Sequence, residues 1–145
     1  GNLSSKRDWG HAKDYVEGMW RILQQETPED FVLATGVTTT IRDFCLMAFK
    51  EAGIELEFKG EGIDEKGYDK NTGKILVEVD PRYFRPTEVE LLLGDSAKAR
   101  EKLKWEPKYN LATMVSEMVK EDLELAKKEK TLKDNGYEVL VSQES

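Results

Sequence analysis

KRDWGHAKDYV, residues 6–16, sets two lysines, an arginine, two aspartates, the only histidine and a tryptophan at the mouth of an apolar periodic segment. Downstream, Ala12, Tyr15, Val16, Met19, Trp20 and Leu23 recur at helical spacing. The pattern predicts a helix from His11 to Gln24 with that face turned inward. Asp8 stands where a capping residue belongs. The stretch therefore reads as a strand-to-helix turn. The first N–H groups of a helix lack intrahelical partners, and together with the helix dipole they attract anions. Arg7 adds a planar donor fork suited to the same anion.

Working outward, Pro28 and its acidic neighbours break the helix, and the apolar run DFVLATG at 30–36 predicts a strand. A second helix follows, capped by Thr40, with Ile41, Phe44, Cys45, Ala48, Phe49 and Ala52 facing inward and Gly53 at its end. IELEFKG (54–60) and KILVEVD (74–80) alternate as strands do. Residues 60–74 between them carry glycines and charges without periodicity and read as an exposed excursion. A short helix starts at Asp95 or Ser96. A long amphipathic one starts at the cap Asn110, with Leu111, Met114, Val115, Met118, Val119, Leu123 and Ala126 as its stripe. A glycine turn at DNGYEV (134–139) and a short strand close the chain. The order is that of an α/β chain in one unit.

The 145 residues carry a formal charge of −7. Such an acidic chain argues against a broad nucleic-acid or anionic-membrane surface but permits one local anion pocket. A single cysteine allows no internal disulfide and fits a reducing, cytoplasmic setting. No 18-residue apolar run predicts a membrane span.

Little in the chain points to chemistry of its own. His11 and Cys45 make a poor metal set, and DEKGYDKNTG (64–73) lacks the spacing of a calcium loop. Cys45 lies on an apolar helix face, where a thiol is inert packing. His11 reads as a helix-start residue bonded to backbone. Trp9, Trp20 and Trp105 read as packing, with Trp105 plugging a core edge and Trp9 having a lesser claim to stack on a base or sugar. Arg85, between Phe84 and Pro86, has its backbone restricted by the proline. Glu88 three residues on lies within its reach. The pair reads equally as a holder of a diphosphate and a hydroxyl or as an internal ion pair.

Four segments then carry a resemblance: GNLSSKRDWGHAKDYVEGMW (1–20), EDFVLATG (29–36), VDPRYFRPTEVELLLGD (79–95) and KLKWEPKYNLATMVSEMVKEDLE (102–124). They resemble the carboxy-terminal part of the GDP-mannose 4,6-dehydratase family, within the extended short-chain dehydrogenases/reductases. The first and third segments resemble this family more than the wider sugar-nucleotide epimerases. The resemblance implies a partial substrate-binding domain, residues 1–145, with NADP held by an amino-terminal Rossmann domain absent from this chain. It implies a lyase reaction in which GDP-mannose becomes GDP-4-keto-6-deoxymannose through an NADP hydride shuttle, on the route to GDP-fucose, in a homo-oligomer.

The family's glycine fingerprint and YxxxK pair are missing. Tyr15, Tyr68, Tyr83, Tyr109 and Tyr137 are followed four positions on by Met19, Thr72, Thr87, Thr113 and Val141. No catalytic residue, cofactor ligand or metal ligand is therefore expected here, and the chain reads as a fragment inactive alone. Carried over by resemblance are substrate-binding roles for Arg7, Arg85 and Glu88, and a weaker one for Lys13. A related epimerase or dehydratase fragment, or a non-catalytic nucleotide-binding module, are the rival readings.

Overall fold

The computed structural model describes residues 1–87 and 92–138. Among these residues four helices, α1 (Ala12–Leu23), α2 (Ile41–Glu51), α3 (Ala97–Leu103) and α4 (Leu111–Asp134), are joined by two small sheets. In the first, β1 (Lys6–Asp8) pairs antiparallel with β2 (Thr38–Thr40), with Arg7 opposite Thr39. In the second, β3 (Leu56–Lys59), β4 (Lys66–Asp69) and β5 (Ile75–Glu78) run antiparallel in that order. Among the described residues no two strands pair in parallel, so no Rossmann sheet is present.

Side chains set the helix boundaries. Thr40 accepts the Asp43 N–H at 3.0 Å and donates its hydroxyl to the Asp43 carboxylate at 2.6 Å, closing a reciprocal cap on α2. Gly53, at φ +79°, ends that helix in a left-handed turn. Asp95, not Ser96, caps α3 with its side chain, accepting the Ala97 N–H at 2.9 Å. Asn110 accepts the Thr113 N–H at 2.9 Å at the head of α4. The α1 cap is His11 and not Asp8: His11 Nδ1 accepts the Lys13 N–H at 3.1 Å. Asp8 instead holds the loop before β2, accepting from Thr35 N–H (3.1 Å), the Thr35 hydroxyl (2.6 Å) and Gly36 N–H (2.9 Å).

The core gathers Ala99, Leu103 and Trp105, with Tyr15, Ile22, Phe31 and Leu33 packed against them. Trp105 is 1% exposed, and its indole N–H donates to the Asp14 carbonyl at 2.7 Å. Its expected role as a core plug holds.

Three expectations fail. Residues 30–36 form no strand among the described residues, and the run is apolar because Phe31 and Leu33 pack against the Ala99–Leu103–Trp105 cluster while Ala34 is buried. Residues 60–74 are not an excursion, because they contain β4, the middle strand of its sheet. Its apolar alternation is hidden because Gly67 occupies the pleat. A Cβ there would come within 3.0 Å of Phe58 and 3.1 Å of Val77, so the neighbours fill the space. The apolar stripe of α1 turns inward at Tyr15 only: Val16 is 63%, Met19 58%, Trp20 60% and Leu23 79% exposed, while Asp14 and Gly18 are buried. The strand expected at the tail lies outside the described residues; the glycine turn before it is present at Gly136, φ +80°.

Candidate functional site

The bend around Arg85 is built from short-range polar contacts. Asp80 caps a 3-10 turn at Pro81–Tyr83, accepting the Arg82 N–H at 2.9 Å. It also takes the Arg82 guanidinium at 2.6 Å, and that contact holds its carboxyl down to about 2. The Arg82 guanidinium lies 5.5 Å from the centre of the Tyr83 ring. Arg82 is thereby committed within the turn. Arg85 is not: it is exposed, and its guanidinium makes no hydrogen bond or ion pair with another described residue.

The Arg85 backbone is held at both ends. Its N–H donates to Asn2 Oδ1 at 2.9 Å, and its carbonyl accepts from Asn2 Nδ2 at 2.7 Å. One carboxamide thus satisfies both main-chain groups, as a neighbouring strand would. Asn2 belongs to a turn that is itself fixed. Ser5 N–H donates to the Asn2 carbonyl at 3.3 Å, and Leu3 and Ser5 are buried. The Leu3 and Ser5 carbonyls accept from Arg42 N–H (2.9 Å) and Ile41 N–H (3.1 Å), the first free donors of α2. This segment runs directly into β1 and Arg7. Arg7 is half-buried, and its Nη1 donates to the Lys6 carbonyl at 2.9 Å. Arg7 lies five positions on from Asn2, a chain reach of at most about 18 Å. The two bends are therefore tied to one short segment.

The mouth of α1 is arranged differently from the sequence reading. His11 is buried and stacks on Tyr109 with ring centres 4.2 Å apart. With Nδ1 accepting from backbone, its proton sits on Nε2, which lies 3.3 Å from Glu117. Lys13 pairs with Glu117 at 2.5 Å and lies 5.5 Å from the Tyr109 ring centre. That lysine holds the Glu117 carboxyl below its ordinary value. A carboxylate of the chain itself thus already pairs with Lys13 beside this helix end. Trp9 stacks on Phe44 with centres 4.5 Å apart, so its ring is used in packing. Its indole N–H is shielded and finds no acceptor among the described residues. Glu88 lies outside the described residues.

The remaining candidates serve structure. Burial pushes the Cys45 thiol up, away from a reactive thiolate. In the 64–73 segment, Glu65 holds Arg42 through two bonds of 2.6 and 2.8 Å, and Asp69 accepts from Asn71 and Thr72. Among the described residues no group of three or more His, Cys, Asp or Glu side chains is placed to hold a metal ion. No helix of the described residues is long and apolar enough to cross a membrane. Asn2 and Asp14 were missed in the sequence, and Asp8 misread as a cap, because their partners are 83, 91–95 and 27–28 residues away.

Solved structures share this fold. RMD from Pseudomonas aeruginosa, solved with NADPH, matches with TM-score 0.62 at 16% identity over 83% of this chain and 33% of its own. The Bordetella bronchiseptica enzyme WbmF, solved with NADH, matches with TM-score 0.60 at 18% identity over 94% of this chain and 35% of its own. The fold is an α/β arrangement shared with about a third of each of these chains. The sequence profile described as GDP-mannose 4,6 dehydratase matches residues 1–118, and the chain belongs to that family. The GDP-mannose 4,6-dehydratase of Yersinia enterocolitica is 53% identical over all of this chain and 42% of its own length. GDP-mannose 4,6 dehydratase 2 of Caenorhabditis elegans is 58% identical over 86% of this chain and 32% of its own. The chain thus spans well under half the length of these relatives.

Proposed function

We propose that these residues form the sugar-nucleotide-holding part of an NADP-dependent GDP-mannose 4,6-dehydratase, a lyase that makes GDP-4-keto-6-deoxymannose. In this reading Arg85 and Arg7 grip the diphosphate, Glu88 meets a ribose or sugar hydroxyl, and Lys13 contributes only an outer charge. The carrying observation is Arg85. In a chain with 29 acidic residues, its guanidinium stands uncommitted among the described residues while its backbone is clamped. Family membership supports the substrate class.

The described residues do not fit NADP themselves. Their strands are all antiparallel and none leads into a glycine fingerprint, so no hydride-transfer step is assigned to them. An amino-terminal Rossmann domain is the proposed holder of the cofactor, and the apolar stripe Val16–Met19–Trp20–Leu23 is a surface of the kind such a domain covers. On this reading the 145-residue chain alone turns over no substrate.

Arg85→Ala in the full-length enzyme tests the reading. Loss of a charge-assisted contact of about 2 kcal/mol raises KM for GDP-mannose about thirtyfold. An unchanged KM with loss of folding supports an internal ion pair instead. Turnover of UDP- or dTDP-sugars in place of GDP-mannose by the complete protein moves it to a related enzyme.

A further inference from the structure

We infer that Asn2 is a positioning residue for the sugar nucleotide, acting through Arg85; the inference rests on the substrate-holding role proposed above. An arginine side chain has four rotatable bonds, and its aim depends on where its backbone stands. Three constraints converge on that backbone. Pro86 disfavours a helical backbone at Arg85. The capped turn at Pro81–Tyr83 fixes the approach from one side. Asn2 closes the third side with bonds to both the N–H and the carbonyl, from 83 residues away.

The Asn2 contact ties the bend by hydrogen bonds to the start of the chain. Asp80 and Arg82 are two residues apart and stiffen the turn only within itself. Asn2 links it to the segment whose carbonyls receive the first N–H groups of α2 and which continues into β1. The same segment leads to Arg7, so one carboxamide sets the spacing between the two guanidinium groups proposed to share a diphosphate. The chain start also passes close beside the bend: a Cβ on Gly1 would lie 3.4 Å from the Tyr83 carbonyl. Shortening Asn2 to alanine leaves both Arg85 main-chain groups to water and lets the bend drift from β1. The guanidinium keeps its charge but loses its aim, which weakens ground-state and transition-state binding together.

The test is a double-mutant cycle in the full-length enzyme: wild type, Asn2→Ala, Arg85→Ala and the double variant, each with KM and kcat for GDP-mannose. Asn2→Ala is expected to raise KM about tenfold with kcat within about twofold. The double variant is expected to match Arg85→Ala alone, because without the guanidinium there is nothing left to aim. Amide exchange at Arg85, followed by NMR, is expected to quicken in Asn2→Ala. If Asn2→Ala does not fold, Asn2→Asp, which keeps the acceptor for the Arg85 N–H, takes its place in the cycle with a smaller rise in KM. Asn2 variants with unchanged KM, beside an Arg85→Ala that raises it, overturn this inference and leave the substrate reading standing. Additive effects on KM overturn it too, since Asn2 then acts independently. An unchanged KM in Arg85→Ala removes the substrate reading itself.

Discussion

The two sides of α1 differ in a way opposite to their composition. The side carrying Asp14 and Gly18 is buried; the side carrying Val16, Met19, Trp20 and Leu23 is open. Buried polar groups are tolerated where each finds a partner, and Asp14 does. Its carboxylate accepts the Tyr109 N–H at 3.1 Å, and its carbonyl accepts the Trp105 indole N–H. Gly18 permits the approach, since a Cβ there would stand 2.6 Å from Leu33 and 3.0 Å from the Trp105 indole nitrogen. Periodicity thus located an apolar stripe correctly but could not say what covers it. An apolar stripe marks a surface that favours burial, and the surface that buries it need not be local.

The contrast is broken most strongly on the inner side. Trp105→Ala removes the largest fully buried side chain and leaves the Asp14 carbonyl without its donor; a loss of about 3–5 kcal/mol in urea unfolding is expected. Gly18→Val overfills the contact with Leu33 and Trp105. It is expected to cost about 1–3 kcal/mol, read in the same titration.

On the outer side, Trp20→Gln with Leu23→Gln is expected to change the stability of this 145-residue chain by no more than about 0.5 kcal/mol per site. The same pair is expected to reduce self-association, followed by size exclusion with light scattering. A large stability loss from the outer pair would mean that the stripe is covered within the chain after all.

The smallest effect expected is that of acid. Glu17 is held below its ordinary value by Lys108 and then Arg21, and Glu117 by Lys13, so α1 is tied to its neighbours through depressed carboxyls. A depressed folded value contributes stability that is present above the ordinary value of 4.5 and is lost as pH falls through the folded value. Melting temperature is therefore expected to be flat with respect to these groups from pH 7 to 5 and to fall below 4.5. Added salt is expected to shrink the change, because the pairs are exposed.

Much of the fold was legible in the sequence where the signal is local. The caps Thr40 and Asn110 and the glycine at Gly53 act within one helical turn, and all three are as read. The β3 and β5 strands alternate and were found; β4 was not, because Gly67 and paired charges replace its alternation. Arg85 was legible as a site candidate because its proline and aromatic neighbours are adjacent in the chain. What holds Arg85 was not, since Asn2 offers no pattern until the chain is folded.

The sequence by itself determined the caps of α2 and α4, the glycine that ends α2, and the family to which the chain belongs. Those features depend on neighbours a few residues apart. Tertiary structure alone decided that Asp8 is drawn off to Thr35 and Gly36, that Lys13 pairs with Glu117, and which side of α1 is buried. Each depends on partners brought from tens of residues away, whose meeting no local periodicity encodes.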